Sequence, residues 1–281
     1  MKPFLLAING YRFYIFPRKK EVICLEKKIP ISSAVFLINQ TLYACGGIQK
    51  TRSASLLWVD YSGQLTRLNS MSLGRSSASL SGLSSWLIVL GGFNQDDNLS
   101  CCEQYQVASN KWGGLSCLNI SRQWPGSILL KSMRAFCFCG NLGFGAILNW
   151  VETLQIESEA EWRLLPLEIK IAKTYHLAAA SFHNKVLVFG GSNIASFNTL
   201  ILSEEGDLLE DRSSDALIPG YMGEGSYCVH WGILYSIGQN FEQGKWKWSM
   251  RAFDGVKWGL QWCTAIKWLI DQIYYSLVRI Y

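Results

Sequence analysis

Short apolar runs recur along the chain, and each of them stops at glycine or at a small or polar residue in its place. They are "LYACGG" (42–47), "LIVLGG" (87–92), "AFCFCG" (135–140), "LVFGG" (187–191) and "LYSIGQ" (234–239). Short apolar runs that are bounded by turn-forming residues are typical of buried β-strands. The first glycine position falls at 46, 91, 139, 190 and 238, so the pattern returns every 45 to 51 residues. The spacing predicts five copies of one strand-rich unit.

Each copy continues with a strand, a turn and a further bulky apolar residue. That residue lies 17 to 22 positions after the second glycine position. It is a tryptophan in "EQYQVASNKW", "ETLQIESEAEW" and "MRAFDGVKW", and Leu65 or Leu208 in the other two copies. The turns contain Ser-Asn, Ser-Gly, Glu-Gly and Asp-Gly, which suit short hairpins. Each unit is therefore predicted to fold as one four-stranded antiparallel sheet.

This combination resembles the kelch repeat, one blade of a β-propeller. The resemblance covers about residues 30–260 and implies an all-β, kelch-type propeller that forms a single domain over residues 1–281. It implies that the glycines stop a strand where a neighbouring backbone comes close, and that the recurrent Trp or Leu packs between blades. The structural residues of the repeat are then Gly46, Gly47, Gly91, Gly92, Gly140, Gly190, Gly191, Gly238, Trp112, Trp162 and Trp258.

The two ends of the chain contain weaker copies of the strand pattern. "AINGYRFYIFP" (7–17) and "LIDQIYYSLVR" (269–279) both echo "LINQTLYACGG" (37–47). We therefore expect residues 1–29 and 261–281 to complete a sixth blade together, which closes the ring and removes exposed strand edges. Seven blades are the alternative if each end forms a sheet of its own.

Composition and charge narrow the class of protein. Apolar residues make up 49% of the chain and charged residues 17%, which is enough for a sizeable core. The net charge of +5 is mild, and the basic residues are dispersed except at Arg18, Lys19 and Lys20. A nucleic-acid-binding surface would group them into a patch. No nucleic-acid partner is expected.

The cysteines and the chain ends predict a cytoplasmic protein. There are nine cysteines, an odd number, and most lie in apolar runs, which is typical of reduced core thiols. The apolar run after Met1 is too short for a signal peptide. Lys267 and Asp271 interrupt the apolar stretch that begins at Trp262, so no membrane span is expected there.

No motif in the sequence indicates catalysis, a metal or a cofactor. The three histidines, His176, His183 and His230, have no metal-ligand spacing, and His183 is predicted to lie in a hairpin turn. Cys137 and Cys139 share one face of a predicted strand, which favours core packing over a zinc site. Copper radical oxidases are known among kelch-like propellers, but three scattered histidines disfavour that chemistry. The sequence therefore predicts a protein that is not an enzyme.

Loops that follow the glycine pairs and loops that lead into each repeat should share one rim of the propeller. Arg75 lies 16 residues before Gly91, and Arg122 and Lys173 lie 17 residues before their own first glycine positions. In peptide-binding kelch propellers an arginine near this place helps to hold acidic partners, so acidic peptide segments are an expected partner class. The candidate rim residues are Arg52, Arg75, Asn94, Asp96, Arg122, Asn141, Lys173, Asn193 and Asn240.

The resemblance implies a non-catalytic module that binds partner proteins on one rim, as an adaptor, a scaffold or a cytoskeletal partner. Substrate receptors of ubiquitin ligases belong to the same group. The alternative is a small-molecule kelch enzyme, such as a protein like the sugar epimerases. Structural self-assembly through the aromatic surface is a third hypothesis.

Overall fold

β-Strands are the only extended regular structure in the part of the chain that the structure describes. The computed structural model describes residues 4–8, 12–16, 22–24, 29–30, 32–38, 41–48, 51–59, 64–83, 85–95, 97–143, 146–169, 177–190, 198–211, 226–230, 233–242, 245–253 and 258–260. None of these residues lies in a helix. The prediction of an all-β chain is confirmed.

The strands form one three-stranded sheet and five four-stranded sheets, all antiparallel and all in chain order. The N-terminal sheet consists of β1 (Phe4–Ile8), β2 (Arg12–Phe16) and β3 (Val22–Cys24). Sheet 1 consists of β4 (Ala34–Ile38), β5 (Thr41–Cys45), β6 (Leu56–Val59) and β7 (Leu65–Leu68). Sheet 2 consists of β8 (Ser79–Leu83), β9 (Trp86–Leu90), β12 (Cys102–Gln106) and β13 (Lys111–Leu115), with a ribbon of β10 (Phe93–Asn94) and β11 (Asp97–Asn98) between β9 and β12.

The next three sheets repeat this arrangement. Sheet 3 consists of β14 (Gly126–Leu129), β15 (Arg134–Phe138), β18 (Trp150–Gln155) and β19 (Arg163–Glu168), with a ribbon of β16 (Asn141–Gly143) and β17 (Ala146–Ile147) between β15 and β18. Sheet 4 consists of β20 (Leu177–Phe182), β21 (Lys185–Gly190), β22 (Asn198–Leu202) and β23 (Leu208–Asp211). Sheet 5 consists of β24 (Ser226–His230), β25 (Ile233–Glu242), β26 (Lys245–Phe253) and β27 (Trp258–Leu260).

The first strands of successive sheets lie next to one another. β4 contacts β8, β8 contacts β14, β14 contacts β20, β20 contacts β24, and β24 contacts β1 of the N-terminal sheet. The other strands of each sheet follow outward in order. This is a propeller-like arrangement, as the repeat predicts.

Apolar side chains fill the space between sheets 1 to 4, because their second strands, β5, β9, β15 and β21, are buried on both faces. Along β9, Leu87 and Val89 pack with sheet 1, whereas Ile88 and Leu90 pack with sheet 3. A strand that is covered on both sides reads as a continuous apolar run. This explains why the runs before the glycines show no alternation of polar and apolar residues.

Three described cores join sheets 1, 2, 3 and 4 in sequence. The core between sheets 3 and 4 contains Phe136, Phe138, Val188 and Leu202, all with at most 1% exposure. The two cores on either side of sheet 2 have the same construction. These four sheets therefore form four propeller-like blades that depend on one another for burial of their apolar faces.

Tryptophans from the fourth strand, or from just before it, bridge neighbouring sheets. Trp162 is 3% exposed in the core between sheets 2 and 3, and its Nε1 donates a hydrogen bond to the carbonyl oxygen of Ser116 at 2.8 Å. Trp112 makes the equivalent bond to Asn69 at 2.8 Å. Leu208, at the matching place in sheet 4, is 44% exposed instead. The bridge between sheets therefore depends on the indole ring, which a leucine does not replace.

Asn110, in the turn between β12 and β13, connects sheet 2 to sheet 1 by hydrogen bonds. Its Oδ1 accepts hydrogen bonds from the Asn69 backbone N–H at 3.0 Å and from the Tyr105 hydroxyl at 2.8 Å. Its backbone has a left-handed φ of 52°, a conformation that asparagine tolerates better than most residues. One residue thus supplies both the turn and the inter-sheet contact.

Replacing Asn110 separates these two contributions. Asn110→Gly keeps the left-handed turn and loses the side-chain hydrogen bonds, so we expect a loss of about 1–2 kcal/mol in the free energy of unfolding. Asn110→Ala also disfavours the turn, so we expect about 1 kcal/mol more. Urea unfolding of both variants measures the difference. Equal losses for alanine and glycine would show that the backbone conformation contributes nothing.

The turn prediction for His183 is confirmed. His183 and Asn184 connect β20 to β21 with φ values of 48° and 56°. Two left-handed residues in a two-residue loop form the hairpin turn that matches the twist of the flanking strands.

The fifth repeat departs from its prediction. The glycine pattern predicted that a strand ends at Gly238 and that Asn240 lies in a loop. In the structure β25 continues through both residues, with Gly238 opposite Ser249 and Asn240 opposite Lys247 in β26. This repeat has Gln239 at the second glycine position. The third repeat also has a single glycine, at Gly140, and its strand ends at Phe138, so the number of glycines alone does not explain the long hairpin of sheet 5.

The two chain ends differ in how far the structure describes them. Residues 4–24 supply the three strands of the N-terminal sheet, which adjoins sheet 5 through β1 and β24. The predicted contribution of residues 261–281 to a closing blade lies outside the described residues, and the six-blade count stays a prediction.

Candidate interaction rim

The glycine pairs of sheets 1 and 2 lie in direct backbone contact with the segment that leads into the next sheet. The N–H of Gly47 donates to the carbonyl oxygen of Arg75, and that of Gly92 donates to the carbonyl oxygen of Arg122, both at 2.8 Å. A Cβ on Gly91 would lie 2.6 Å from the Arg122 carbonyl oxygen, closer than real Cβ atoms come. A Cβ on Gly46 would collide with Arg75 in the same way. Absence of a side chain is therefore a requirement of blade-to-blade packing.

Arg75 is enclosed at the junction of sheets 1 and 2. Its side chain is fully buried and forms an ion pair with Glu103 of β12, with 2.7 Å between Nη2 and Oε1. Its Nη1 donates to the carbonyl oxygens of Gly91 at 2.9 Å and Cys101 at 2.8 Å. The second oxygen of Glu103 accepts the backbone N–H of Ser72 at 2.8 Å. The pair therefore links the connecting segment to two strands of the next sheet.

Arg122 occupies the same place at the junction of sheets 2 and 3. It pairs with Glu152 of β18, and both side chains are fully buried. Its Nη1 donates to the carbonyl oxygen of Cys139 at 2.9 Å. The second oxygen of Glu152 accepts the backbone N–H of Asn119 at 2.7 Å, as Glu103 accepts that of Ser72. Buried charges at both sites are thus paired and hydrogen-bonded.

The registers of β8 with β9 and β14 with β15 explain the different sequence offsets of the two arginines. Ser79 pairs with Leu90, and Gly126 pairs with Phe138, which leaves the β14–β15 connection one residue longer. Arg75 lies four residues before Ser79, and Arg122 lies four residues before Gly126. The two arginines are therefore structurally equivalent. The expected position of Arg75 and Arg122 on an exposed rim is corrected, because neither guanidinium reaches the surface.

Two loop sets share one rim in sheets 2 and 3, as the sequence predicts. The segment leading into β8 pairs with the ribbon after Gly92, since Ser76 and Phe93 exchange backbone hydrogen bonds of 3.0 and 2.8 Å. Gln123 and Asn141 exchange the same two bonds in sheet 3, at 3.0 and 2.8 Å. The ribbons are therefore anchored to the connecting segments and form a continuous edge, which is called the rim below.

Ribbons of neighbouring sheets also touch one another along the rim. The guanidinium of Arg52 lies 4.9 Å from the ring centroid of Phe93, a cation–π contact from sheet 1 to sheet 2. Asn98 Nδ2 donates to the carbonyl oxygen of Asn141 at 3.3 Å, which connects sheet 2 to sheet 3. These contacts make the rim a connected surface on a rigid support.

The remaining candidate rim residues have different locations. Arg52 and Asn94 are partly exposed on the rim. Asn141 is 7% exposed, and its Oδ1 accepts the Gly143 N–H at 2.5 Å, so it stabilises its own ribbon. Asn240 lies within β25. The positions of Asp96, Lys173, Gly191 and Asn193 lie outside the described residues.

Sequence reasoning missed the two glutamates that complete the ion pairs. Glu103 and Glu152 follow the glycine positions by 12 and 13 residues and begin the similar segments "EQYQ" and "ETLQ". Alignment of the two repeats would have shown a carboxylate and an arginine recurring together. Sheets 1 and 4 have Leu57 and Leu200 at the glutamate position, which follows from their strand registers.

Four of the described cysteines are core residues without disulfide bonds. Cys45, Cys102, Cys137 and Cys139 are buried thiols. Burial raises the pKa of Cys45, Cys137 and Cys139 to about 12, and it also raises the pKa of Cys102. These thiols therefore stay protonated at neutral pH, which disfavours nucleophilic or metal-binding chemistry.

Two comparisons with known proteins give no relative. No protein-family model matches the chain. A search of curated proteins finds no significant match.

Two further observations concern the described residues alone. They contain no group of three His, Cys, Asp or Glu side chains placed to hold a metal ion. None of their elements is a helix of the length and apolar character needed to cross a membrane.

Proposed function

We propose that this chain is a six-bladed, kelch-type propeller of the cytoplasm that binds segments of partner proteins on its rim and does not act as an enzyme. The kelch assignment is supported by the glycine pairs at 46–47 and 91–92, which are crossed by the connecting segment of the next sheet. The closing blade combines the N-terminal sheet with residues from the C-terminal end.

The connected rim carries the proposal of protein binding. Its ribbons are fixed by paired backbone hydrogen bonds at Ser76–Phe93 and Gln123–Asn141, and they contact each other across sheet boundaries. Loops held in this way on a rigid scaffold lose little conformational entropy when a partner docks. An adaptor or scaffold needs such a preformed surface.

Among the described residues, two buried glutamates and a group of serines support a non-catalytic role. Glu103 and Glu152 are each held in an ion pair with an arginine and in a backbone hydrogen bond. Where β8 meets β14, the polar side chains are hydroxyls, with Ser127 bonded to Ser79 at 2.5 Å and to Ser81 at 3.0 Å. Serines that bond only to one another lack the base that activates a nucleophile.

A pair of charge reversals at opposite ends of the sheets tests the proposal. Asp97 is exposed in a rim ribbon, and Glu157 is exposed in the turn after β18 at the opposite end. A protein partner covers about 800 Å² per side, more than one sheet end. We therefore expect Asp97→Arg to lower the recovery of captured partner proteins at least about tenfold and Glu157→Arg to leave it unchanged.

The measurement is quantitative mass spectrometry of proteins captured from cell lysate by the immobilised wild-type chain and each variant. Circular dichroism of both variants confirms that each is folded. Equal recovery with Asp97→Arg, or an equal loss with Glu157→Arg, would remove the rim as the binding surface.

A further inference from the structure

The connecting segments that lead into sheets 1, 2 and 3 have the same backbone conformation just before the first strand of each sheet. Ser32, Ser77 and Trp124 each lie two residues before a first strand and have left-handed φ values of 59°, 54° and 51°. The N–H of Ser77 donates to the carbonyl oxygen of Ser32 at 3.0 Å, and that of Trp124 donates to Ser77 at 2.7 Å. The three residues are therefore structurally equivalent. Serine fits this backbone twice, so nothing in the backbone selects the large ring of Trp124.

Sheet 3 is apolar at two further rim positions where its neighbours are polar or small. The second residue after the glycine pair is Leu142 in sheet 3 and Asn94 in sheet 2. The residue before the first β15–β18 pair is Trp150, whereas the matching residues are Cys101 in sheet 2 and Ser55 in sheet 1. Leu142 is 41% exposed and Trp150 is 43% exposed. Trp124, Leu142 and Trp150 are called the sheet 3 patch below.

The hydrogen bonds of the rim bring these three residues to one sheet end. Gln123, adjacent to Trp124, pairs with Asn141, adjacent to Leu142. The carbonyl oxygen of Trp150 accepts the N–H of Cys139, two residues before Asn141, at 3.0 Å. The backbones of the three residues therefore lie at one end of sheet 3, around the junction of β15, its ribbon and the connecting segment. Trp150 and Leu142 are exposed and Trp124 is partly exposed, and tryptophan is a residue type that anchors protein interfaces.

Charge distinguishes this sheet end from the other two. The segment 139–150 contains no charged residue, and 118–129 contains only Arg122, which is buried and paired with Glu152. The sequence between the glycine pair and the third strand contains Lys50 and Arg52 in sheet 1, and Asp96 and Asp97 in sheet 2. Glu168 of β19 lies opposite Trp150 at the edge of this surface. An apolar surface with a single carboxylate at its edge complements an uncharged apolar ligand, because a charged ligand would lose hydration over the apolar residues with little opposite charge to gain.

We propose that the sheet 3 patch binds an uncharged, apolar segment of a partner protein, with Trp124 and Trp150 as its anchors. This inference rests on the proposed function and specifies its partner chemistry. It replaces the acidic peptide that the arginine spacing implied, because Arg75 and Arg122 are buried. Affinity at this patch comes from apolar burial, so it is insensitive to salt.

The test uses variants that take their residues from the chain itself. Trp124→Ser, Leu142→Asn and Trp150→Ser copy Ser77, Asn94 and Ser55 from equivalent positions. The triple variant therefore retains the local backbone that sheets 1 and 2 already form. We expect the triple variant to remain folded, which its circular dichroism spectrum and a cooperative thermal transition check.

The probe is a displayed library of random peptides of about a dozen residues, selected on the wild-type chain and counter-selected on the triple variant. The enriched peptides are expected to be apolar with a net charge near zero. Titration of one synthetic peptide, followed by fluorescence anisotropy, should give a Kd at least about thirtyfold higher for the triple variant. Raising NaCl from about 50 mM to about 500 mM should change the wild-type Kd by less than about twofold.

Several results would overturn the proposal. Enrichment of acidic or basic peptides with salt-dependent affinity rejects the ligand chemistry, and failure to enrich any peptide rejects the site. If the triple variant unfolds, the singly substituted Leu142→Asn and Trp150→Ser decide, since both residues are largely exposed. An unchanged Kd in these two variants rejects the patch.

Two controls distinguish binding of a partner segment from self-association, and failure of the patch from failure of the proposed rim function. Light scattering that shows a wild-type dimer and a monomeric triple variant would assign the patch to a second copy of the chain and reject a partner segment. Asp97→Arg is expected to leave the peptide Kd within about twofold, because it changes sheet 2. Loss of partner capture in Asp97→Arg, combined with an unchanged peptide Kd in the triple variant, retains the rim and rejects only the patch.

Discussion

Arg75→Met should lower the free energy of unfolding by about 3–5 kcal/mol, whereas the double variant Arg75→Met/Glu103→Leu should recover most of that loss. The single substitution leaves the Glu103 carboxylate buried without its counter-ion, although the Ser72 N–H still bonds to it. The double substitution removes both charges and gives sheet 2 the residue type that sheets 1 and 4 have at the same position. A buried ion pair that is replaced as a unit is often neutral for stability.

The measurement is a double-mutant cycle by urea unfolding, with Glu103→Leu as the fourth corner. We expect a coupling energy of at least about 5 kcal/mol, because each single variant leaves one buried charge unpaired whereas the double variant leaves none. The equivalent cycle at Arg122 and Glu152 is the internal repeat of the experiment and should agree in sign. Additive losses in both cycles would show that the ion pairs do not act as units.

This buried pair shows where sequence reasoning was limited. The spacing of Arg75 from Gly91 fixed its place along the chain but not the direction of its side chain. An arginine in a connecting segment is usually exposed, and a glutamate in an outer strand usually faces water. Arg75 and Glu103 are buried together only because sheets 1 and 2 pack against each other, and that packing is a tertiary property.

The strands and their order were predictable because their cause is local. Apolar runs such as "LIVLGG" (87–92) carry their own stop signal, and the repeat supplied the count of strands in each unit. The rim could be placed for the same reason, since strands of alternating direction put one loop in two at the same end. The extension of β25 through Gly238 was not foreseen, because one glycine does not decide whether a strand ends.

The sequence analysis also did not identify the sheet 3 patch. Trp124 matches Ser77 only after the register of β14 with β15 has been fixed, because an extra residue in the connection displaces the alignment. Repeats of unequal length hide such differences until hydrogen bonds define equivalent positions. Comparison of the sheets within one chain then identifies residues that the repeat itself does not require.

Gly91→Ala should destabilise the protein by about 2–4 kcal/mol, whereas Gly114→Ala should leave its stability unchanged or raise it by up to about 1 kcal/mol. Gly91 has a φ of 60°, and a Cβ there would lie 2.6 Å from the backbone carbonyl oxygen of Arg122. The added methyl group therefore strains its own backbone and pushes away the segment that positions the next arginine. Gly114 lies in the outer strand of the same sheet, and a Cβ there would meet nothing within 4 Å.

The two variants add the same methyl group to the same sheet, so their difference isolates the close approach of the connecting segment. Urea unfolding followed by tryptophan fluorescence gives both values on one scale. Hydrogen exchange adds the location, because displacement of Arg122 should expose the Gly92 N–H that bonds to its carbonyl oxygen. If Gly91→Ala were as stable as Gly114→Ala, the glycine pairs would not be the positions at which neighbouring blades meet, and the physical basis of the repeat would have to be sought elsewhere.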